Sequence, residues 1–259
     1  MKYKHIVHNY MLDPSHPLTV AVIGCGGTGS QVLTSLGRMN YALKKMGHPG
    51  FSVTAYDGDI VTEANCGRQL FAQQEIGLNK ADVLITKLNM FFGTDWESES
   101  KMYGNGSEAY NITISCVDTV QSRIDIGNRL GVVGRNVYDY NRSYYWLDFG
   151  NSVNSGQVVL GSLFEIQQPK GKRSCVGKLP CVTEMFDLSS VDEKASGPSC
   201  SLAEALTKQD LFVNSTLAQL GMAIFWKLFS KGAIDVHGAY LNLETMNVNP
   251  IKVMKHGKV

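Results

Sequence analysis

Strongly basic stretches are missing from this chain. Its first half holds none longer than Lys44-Lys45, the Lys170–Lys178 segment is modest, and 24 Lys and Arg against 23 Asp and Glu leave a net charge of +1. That balance speaks against the clustered positive face by which proteins grip a phosphate backbone, so no nucleic-acid partner is expected. Long apolar runs are missing too. The uncharged, apolar-leaning stretch near the C-terminus, Leu211–Trp226, is interrupted by Asn214, Ser215, Thr216 and Gln219. It falls short of the roughly 20 apolar residues needed to cross a bilayer, so no membrane partner is expected. Met1–Leu18 mixes His, Asn, Asp and Pro with apolar residues and lacks the apolar centre of a secretory signal. None of the six cysteines (25, 66, 116, 175, 181 and 200) forms a C-x-x-C pair, and their spacing is not that of a small disulfide scaffold. Free thiols in a reducing cytoplasm are the expectation. There is no internal repeat and no low-complexity tract.

What is present suits an ordinary globular α/β chain. With 259 residues, 44% apolar and 18% charged, it can bury a substantial core. Leu18–Ile23 is a short apolar, β-branched run ending at a glycine cluster, which reads as a buried parallel strand. Val32, Leu36, Met39, Leu43 and Met46 then recur at steps of three and four, the stripe of an amphipathic helix that Gly47–Gly50 ends. Phe51–Tyr56 is a second strand closed by Asp57, so the first third is a right-handed βαβ unit. Further along, the pattern predicts a helix over Asn79–Phe92, with Val83, Leu84, Leu88 and Met90/Phe91 apolar, then a strand over Asn111–Val117 and a helix over Gln121–Leu130. Strands follow at Trp146–Gly150 and Gln157–Ile166, the pair added antiparallel near the end of the sheet. Gln167–Ser199 reads as a long loop, of the length usually kept for function. A helix over roughly Ser201–Lys231 and closing strands at Tyr240–Leu243 and Asn247–Val253 complete the chain. The fold class is a Rossmann-like, doubly wound, mostly parallel sheet with antiparallel additions near the C-terminus.

Gly24-Cys25-Gly26-Gly27-Thr28-Gly29 places G-x-G-x-x-G between a strand and a helix. The first glycine permits the tight turn, the second lets the backbone approach a phosphate, and the third lets the helix pack on the strand. The helix start then offers free N–H groups to anions. Alone, the motif fits NAD, FAD, S-adenosylmethionine or ATP equally. Asp57 stands where a strand-end acid accepts hydrogen bonds from a ribose, as a nicotinamide-dependent oxidoreductase would also require. Asp57-Gly58-Asp59, Asn65, Arg68-Gln69 and Lys80 follow. Attack at an α-phosphate makes charge accumulate on departing pyrophosphate, and two fixed cations aimed there lower the barrier. A dehydrogenase has no such need, although a surface arginine and a helix-start lysine also account for Arg68 and Lys80. Asp118, at the carboxyl end of a later strand, can hold Mg²⁺ or can cap the helix that follows; spacing leaves both open.

As a set, Gly24-x-Gly26-Gly27-x-Gly29, Asp57-x-Asp59, Asn65-x-x-Arg68-Gln69, Lys80 and Cys116-x-Asp118 resemble the ThiF/MoeB/ubiquitin-activating-enzyme family in order and approximate spacing. Pro198–Leu206 is similar to the ThiF-related proteins of a bacterial plasmid cassette, the PRTRC system. The resemblance implies one adenylation domain over 1–259, with a nucleotide-binding core (17–166), a long loop (167–200) and a C-terminal helix with closing strands (201–259). It implies ATP-dependent adenylation of the C-terminal glycine of a small ubiquitin-like or sulfur-carrier protein, and a homodimer. The all-round apolar stretch Leu217–Phe229 also suits a homodimer. In these roles Asp57 holds the ribose, Asn65, Arg68 and Lys80 the phosphates, and Asp118 Mg²⁺, with Asp59 in the same cofactor segment. Gly26 and Gly27 let the nucleotide approach. Pro198-Ser199-Cys200-Ser201-Leu202 resembles the segment in which ubiquitin-activating enzymes carry the thioester cysteine, and a thiol at a helix start is activated by the dipole.

The chain departs from the family pattern in three places. Thr119 stands where Asn often follows the metal-binding Asp. Residues 1–37 contain no Arg to donate across a dimer, a task left to Lys2 or Lys4 if it is filled. No C-x-x-C pairs exist for zinc; Cys175, Cys181 and Cys200 offer only an irregular set, and zinc is not expected. The first two departures keep a second reading open, a nucleotide-binding scaffold that does no chemistry.

Overall fold

Hydrophobic periodicity turns into layers as the sequence predicts. The computed structural model describes residues 2–104, 108–133, 139–170, 174–188 and 209–255. After a two-residue strand β1 (His5–Ile6), the apolar run Leu18–Ile23 forms β2, with all but Thr19 buried. The glycine cluster opens helix α1 (Gly27–Lys45), whose Val32, Leu33, Leu36, Met39 and Leu43 face the core. Met46 belongs to the same sequence stripe but follows the last helical turn and is exposed. β3 (Phe51–Tyr56), α2 (Lys80–Phe92), β4 (Glu97–Glu99), β5 (Ile112–Ser115) and α3 (Val120–Val133) come next. β6 (Tyr145–Asn151) and β7 (Ser155–Ser162) form the antiparallel pair, followed by a single turn α4 (Val182–Met185) and the long helix α5 (Val213–Lys231). β8 (Ala233–Ile234) pairs back with β1, and β9 (Val236–Asn242) with β10 (Asn247–Lys252) closes the sheet.

The main sheet has eight strands in the order β10-β9-β7-β6-β5-β2-β3-β4. β4, β3, β2, β5 and β6 run parallel, and β7, β9 and β10 are antiparallel additions. From β2 the chain first builds outward through β3 and β4, then returns to β5 on the other flank of β2. The order therefore reverses between β2 and β5, and ligands of open α/β sheets bind at the carboxyl edge of such a reversal. Register puts Ile23 beside Tyr56 on one side and Ser115 on the other, with Asp148 beyond Ser115. Gly24, Asp57, Cys116 and the end of β6 thus emerge at one edge.

Two expectations need correction. Met90 and Phe91 at the end of α2 are exposed, while Val83, Leu84, Ile85 and Leu88 make its buried face. α5, apolar on nearly every side, is covered within the chain: Leu217, Ala218, Met222, Ile224, Phe225, Leu228 and Phe229 are buried, packed against α1, β6, β7 and β9. Its composition therefore needs no partner subunit to explain it. Residues 201–208 of the expected 201–231 helix lie outside the described residues; 209–212 form a bend and turn instead of helix, and the helix runs from Val213 to Lys231. Among the described residues, no helix is long and apolar enough to cross a membrane.

Candidate nucleotide site at the reversal point

Gly24 leaves β2 with φ +89°, and a Cβ there would lie 2.7 Å from the Cys116 carbonyl oxygen. Only glycine tolerates both constraints. Its N–H donates to the Tyr56 carbonyl (2.9 Å), so the turn begins while still tied to β3. A Cβ at Gly29 would fall 1.9 Å from the Gly24 oxygen, which seats α1 directly on the turn.

The other two glycines differ from each other. At Gly27 a side chain would collide with the Asn214 carboxamide of α5, 2.5 Å from Nδ2. Asn214 thus requires a bare Gly27 independently of any nucleotide. At Gly26 a Cβ would meet only the Gln69 carboxamide, at 3.9 Å. Gly26 is also the N-cap of the 19-residue α1 and carries no side-chain cap. The first-turn N–H groups of α1 are thus left without a side-chain cap, the arrangement that receives phosphate.

Asp57 follows β3 and is buried. Its Oδ2 accepts the Cys25 N–H (2.6 Å) and its Oδ1 the Asp59 N–H (2.8 Å). Burial pushes its carboxyl above the usual range, opposed by those two N–H groups and by Lys80. Each oxygen keeps a second lone pair, so Asp57 shapes the glycine turn and can still accept from a ribose. Asn79 caps α2 by accepting the Ala81 and Asp82 N–H groups, and its Nδ2 donates to the carbonyls of Asp57 and Asp59. That cap delivers Lys80, whose side chain is 10% exposed, against Asp59, whose side chain is 68% exposed, with Nζ 2.8 Å from Oδ2. Asp59 therefore stands as the acceptor that orients the lysine.

Arg68 is half-buried, and burial lowers the pKa of its guanidinium. Its Nη1 donates to Gln209 Oε1 (2.8 Å), while its Nε is buried with no partner among the described residues. Neighbouring Gln69, 8% exposed, likewise leaves Oε1 buried and unpaired. Buried polar groups almost always find partners. An unused cationic donor and an unused carboxamide near Gly26 fit a ligand rich in phosphate oxygens; rotating the carboxamide would turn Nε2 toward it. Asn65 is partly spoken for: its Oδ1 accepts from the Thr62 N–H and hydroxyl, leaving Nδ2 to reach a ligand.

At the end of β5 the question left open by spacing is answered. Thr119, not Asp118, caps α3: its hydroxyl accepts the Ser122 N–H at 3.2 Å and bonds the Ser122 hydroxyl at 2.6 Å. Asp118 is exposed, and no hydrogen bond or ion pair among the described residues occupies its carboxylate. A free carboxylate at this edge fits a hydrated divalent cation. Its turn is held by a group that sequence reasoning missed. Arg123 is buried on α3, with Nε 3.2 Å from Asp148 Oδ2 on β6; Nη2 donates to the Val117 (2.5 Å) and Phe149 (2.8 Å) carbonyls, and Nη1 to the Thr119 carbonyl (3.2 Å). Asp148 Oδ1 also accepts the Ser115 hydroxyl (2.5 Å), which in turn accepts the Trp146 indole N–H. Burial raises the Asp148 carboxyl, against the pull of Arg123.

The cysteines divide by burial. Cys25 and Cys116 are pushed to high pKa by burial, and Cys181 to about 12. Cys181 falls within the expected long loop 167–199, and there it is the N-cap of the single turn α4, with Sγ facing the Ser162 carbonyl. Cys200 lies outside the described residues. Among the described residues no group of His, Cys, Asp and Glu is arranged to hold a metal by itself. Lys2 and Lys4 have exposed side chains, and the backbone of Lys4 pairs with Ser174 and Val176.

Comparison with known proteins agrees with this geometry. The ThiF family model matches residues 15–255. The chain is 26% identical over 194 residues to ubiquitin-like modifier-activating enzyme 5 of Culex quinquefasciatus, covering 68% of this chain and 42% of that protein. It is 24% identical over 216 residues to the protein of the same name from Branchiostoma floridae, covering 75% and 45%. The chain thus spans less than half the length of these curated relatives. Among solved structures, E. coli MccB with ATP superposes with a TM-score of 0.57 at 15% identity, covering 93% of this chain and 64% of that one. PaaA gives 0.55 at 13%, covering 92% and 64%. At such identities the likeness is one of fold.

Proposed function

This chain belongs to the ThiF family, and from that premise we propose that it uses ATP to adenylate the C-terminal carboxylate of a small ubiquitin-like or sulfur-carrier protein ending in glycine. One observation carries the reading: Arg68 keeps a buried Nε with no partner among the described residues, and it adjoins Gln69, whose carboxamide lies against Gly26 at the uncapped start of α1. A carboxylate oxygen attacks the α-phosphorus, the bond to the β-phosphate breaks, and pyrophosphate leaves. Arg68 and Lys80 would take up the charge that grows on the leaving oxygens, and the start of α1 would hold the phosphates in line. Asp57 would accept from the ribose, and Asn65 would add a donor through Nδ2. Asp118 would hold Mg²⁺, which supplies charge neutralisation when bound.

The named relatives support the substrate class: two are called ubiquitin-like modifier-activating enzymes, and MccB has been crystallised with ATP. Cys200 would receive the activated carboxyl: its thiolate attacks the acyl carbon and AMP departs. Burial raises the thiols of Cys25, Cys116 and Cys181, which suits them poorly to that task. The likeness of Pro198–Leu206 to the PRTRC-cassette proteins rests on sequence, as does assembly into a homodimer.

A nicotinamide enzyme would leave Arg68, Lys80 and Asp118 without tasks. Thermal unfolding separates the two: a ligand at a hundred times its Kd stabilises by about 2.7 kcal/mol, so Mg-ATP should raise the midpoint by on the order of 5 °C for a chain of this size. Stabilisation by NAD and not by Mg-ATP would overturn the reading.

A further inference from the structure

The guanidinium of Arg68 does not stand alone. Its Nη1 donates to Gln209 Oε1 (2.8 Å), and the same oxygen accepts Asn214 Nδ2 (2.8 Å). Asn214, in the first turn of α5 and 5% exposed, accepts through Oδ1 from the Thr28 hydroxyl (3.0 Å) and from Asn151 Nδ2. Thr28 belongs to the glycine loop and Asn151 ends β6. Three neutral carboxamides therefore connect Arg68 to the start of α1 and to the carboxyl edge of the sheet.

The chain of bonds has one allowed polarity. Arginine can only donate, so Gln209 must turn its oxygen toward Arg68. Gln209 Nε2 then points to the Ser152 carbonyl (3.5 Å). With that oxygen shared, Asn214 must donate to it through Nδ2, which aims Oδ1 at Thr28 and Asn151. Each amide's orientation is set by its neighbour, and the donor-only arginine fixes the first. Gly27 is part of the same device, because a side chain there would expel the Asn214 amide.

We propose that Asn214 is a positioning residue for Arg68, acting through Gln209 to hold the guanidinium over the glycine loop so that its unpaired Nε faces the triphosphate. This rests on the nucleotide reading above and adds a residue of α5 to it. It accounts for an asparagine buried at the start of a largely apolar helix, and for a glycine whose Cβ would collide with that asparagine. The alternative is that Asn214 only joins α5 to α1.

A comparison of nucleotides separates these roles. Affinities for ATP and for AMP are measured by titration calorimetry on wild type, Arg68→Ala, Asn214→Ala and Gln209→Ala. If Asn214 positions Arg68, its variant and Gln209→Ala both weaken ATP about tenfold, as expected for a misplaced hydrogen bond to a charged group, while AMP changes by less than about twofold. A role confined to packing α5 on α1 would weaken ATP and AMP alike for Asn214→Ala and leave Gln209→Ala near wild type, and that result would overturn the proposal. Gln209 is half-exposed, so its variant gives an answer even if Asn214→Ala fails to fold. Failure of the wild type to bind either nucleotide would instead sink the nucleotide reading, and this proposal with it.

Discussion

Replacing Asp148 with alanine gives the sharpest test of how the turn that carries Asp118 is held. In the native chain Arg123 is buried with one carboxylate and three carbonyl oxygens as acceptors. Asp148→Ala strands a buried guanidinium without its counter-charge, a change that costs about 3–5 kcal/mol when one partner of a buried pair is removed. The three carbonyls remain, which argues for the lower end, about 3 kcal/mol. For a chain of this size each kcal/mol is worth roughly 2–4 °C, so the thermal midpoint should fall by about 6–12 °C in nucleotide-free protein. The Val117 and Thr119 carbonyls flank Asp118, so the same lesion should also weaken Mg-dependent ATP binding. An apolar double replacement, Arg123→Met with Asp148→Leu, removes the stranded charge and should recover part of the midpoint. It cannot recover Mg-dependent binding, because no donor then holds the turn. A wild-type midpoint for Asp148→Ala, or full Mg-dependent binding in the double variant, would refute this account of the turn.

Gly24→Ala should abolish folding or nearly so, because a positive φ and a carbonyl at 2.7 Å both oppose it. Gly26→Ala should fold with a loss of about 1 kcal/mol or less, as for an exchanged N-cap, yet weaken ATP at least tenfold; circular dichroism with nucleotide titration checks both. His5 is buried between the Val176 carbonyl and the Tyr145 hydroxyl, and burial lowers its pKa from 6.5 to about 4. Its folded pKa lies below the unfolded value, so its contribution is complete above pH 6.5 and is lost as pH falls toward 4. The loss amounts to about 3 kcal/mol, and urea titrations at pH 7 and pH 4.5 should show His5→Gln with a visibly flatter pH dependence. A thiol-labile adduct between the chain and its substrate protein should vanish in Cys200→Ala; its persistence at the wild-type rate would assign the thioester to another cysteine.

Much of the fold is legible because it rests on periodicity. The run Leu18–Ile23, the glycine cluster, the stripe from Val32 to Leu43 and Phe51–Tyr56 each carry a pattern long enough to read, and each forms its element there. The sequence reading missed β1, β8 and β4 because two or three residues carry no period, and their pairing is set by partners distant in sequence. α4 is a single turn within the expected long loop, where the Glu184 carboxylate accepts the Cys181 N–H. In the site, glycines and strand-end acids were readable because each stands at a predictable offset from a strand. Arg123, Gln209 and Asn214 were not, since their roles come from partners 25 to 186 residues away. A signal did exist for Asp148, a lone acid inside Trp146-Leu147-Asp148-Phe149. A charge in a buried strand demands a counter-charge, though sequence does not say which. Gly27 shows the converse: the motif marks it for a ligand, while packing assigns it to Asn214.

The central claim is that this chain activates a protein carboxylate with ATP, and pyrophosphate exchange tests it most directly. Labelled pyrophosphate should enter ATP only when a small protein ending in glycine is present. Arg68→Ala, Lys80→Ala and Asp118→Ala should each slow that exchange by on the order of a hundredfold, the loss typical of one preorganised charge stabiliser. Substrate-dependent exchange that survives Asp118→Ala unchanged would remove the metal assignment. No exchange with any glycine-ended partner, from a chain that still binds Mg-ATP, would contradict the claim and leave a nucleotide-binding scaffold in its place.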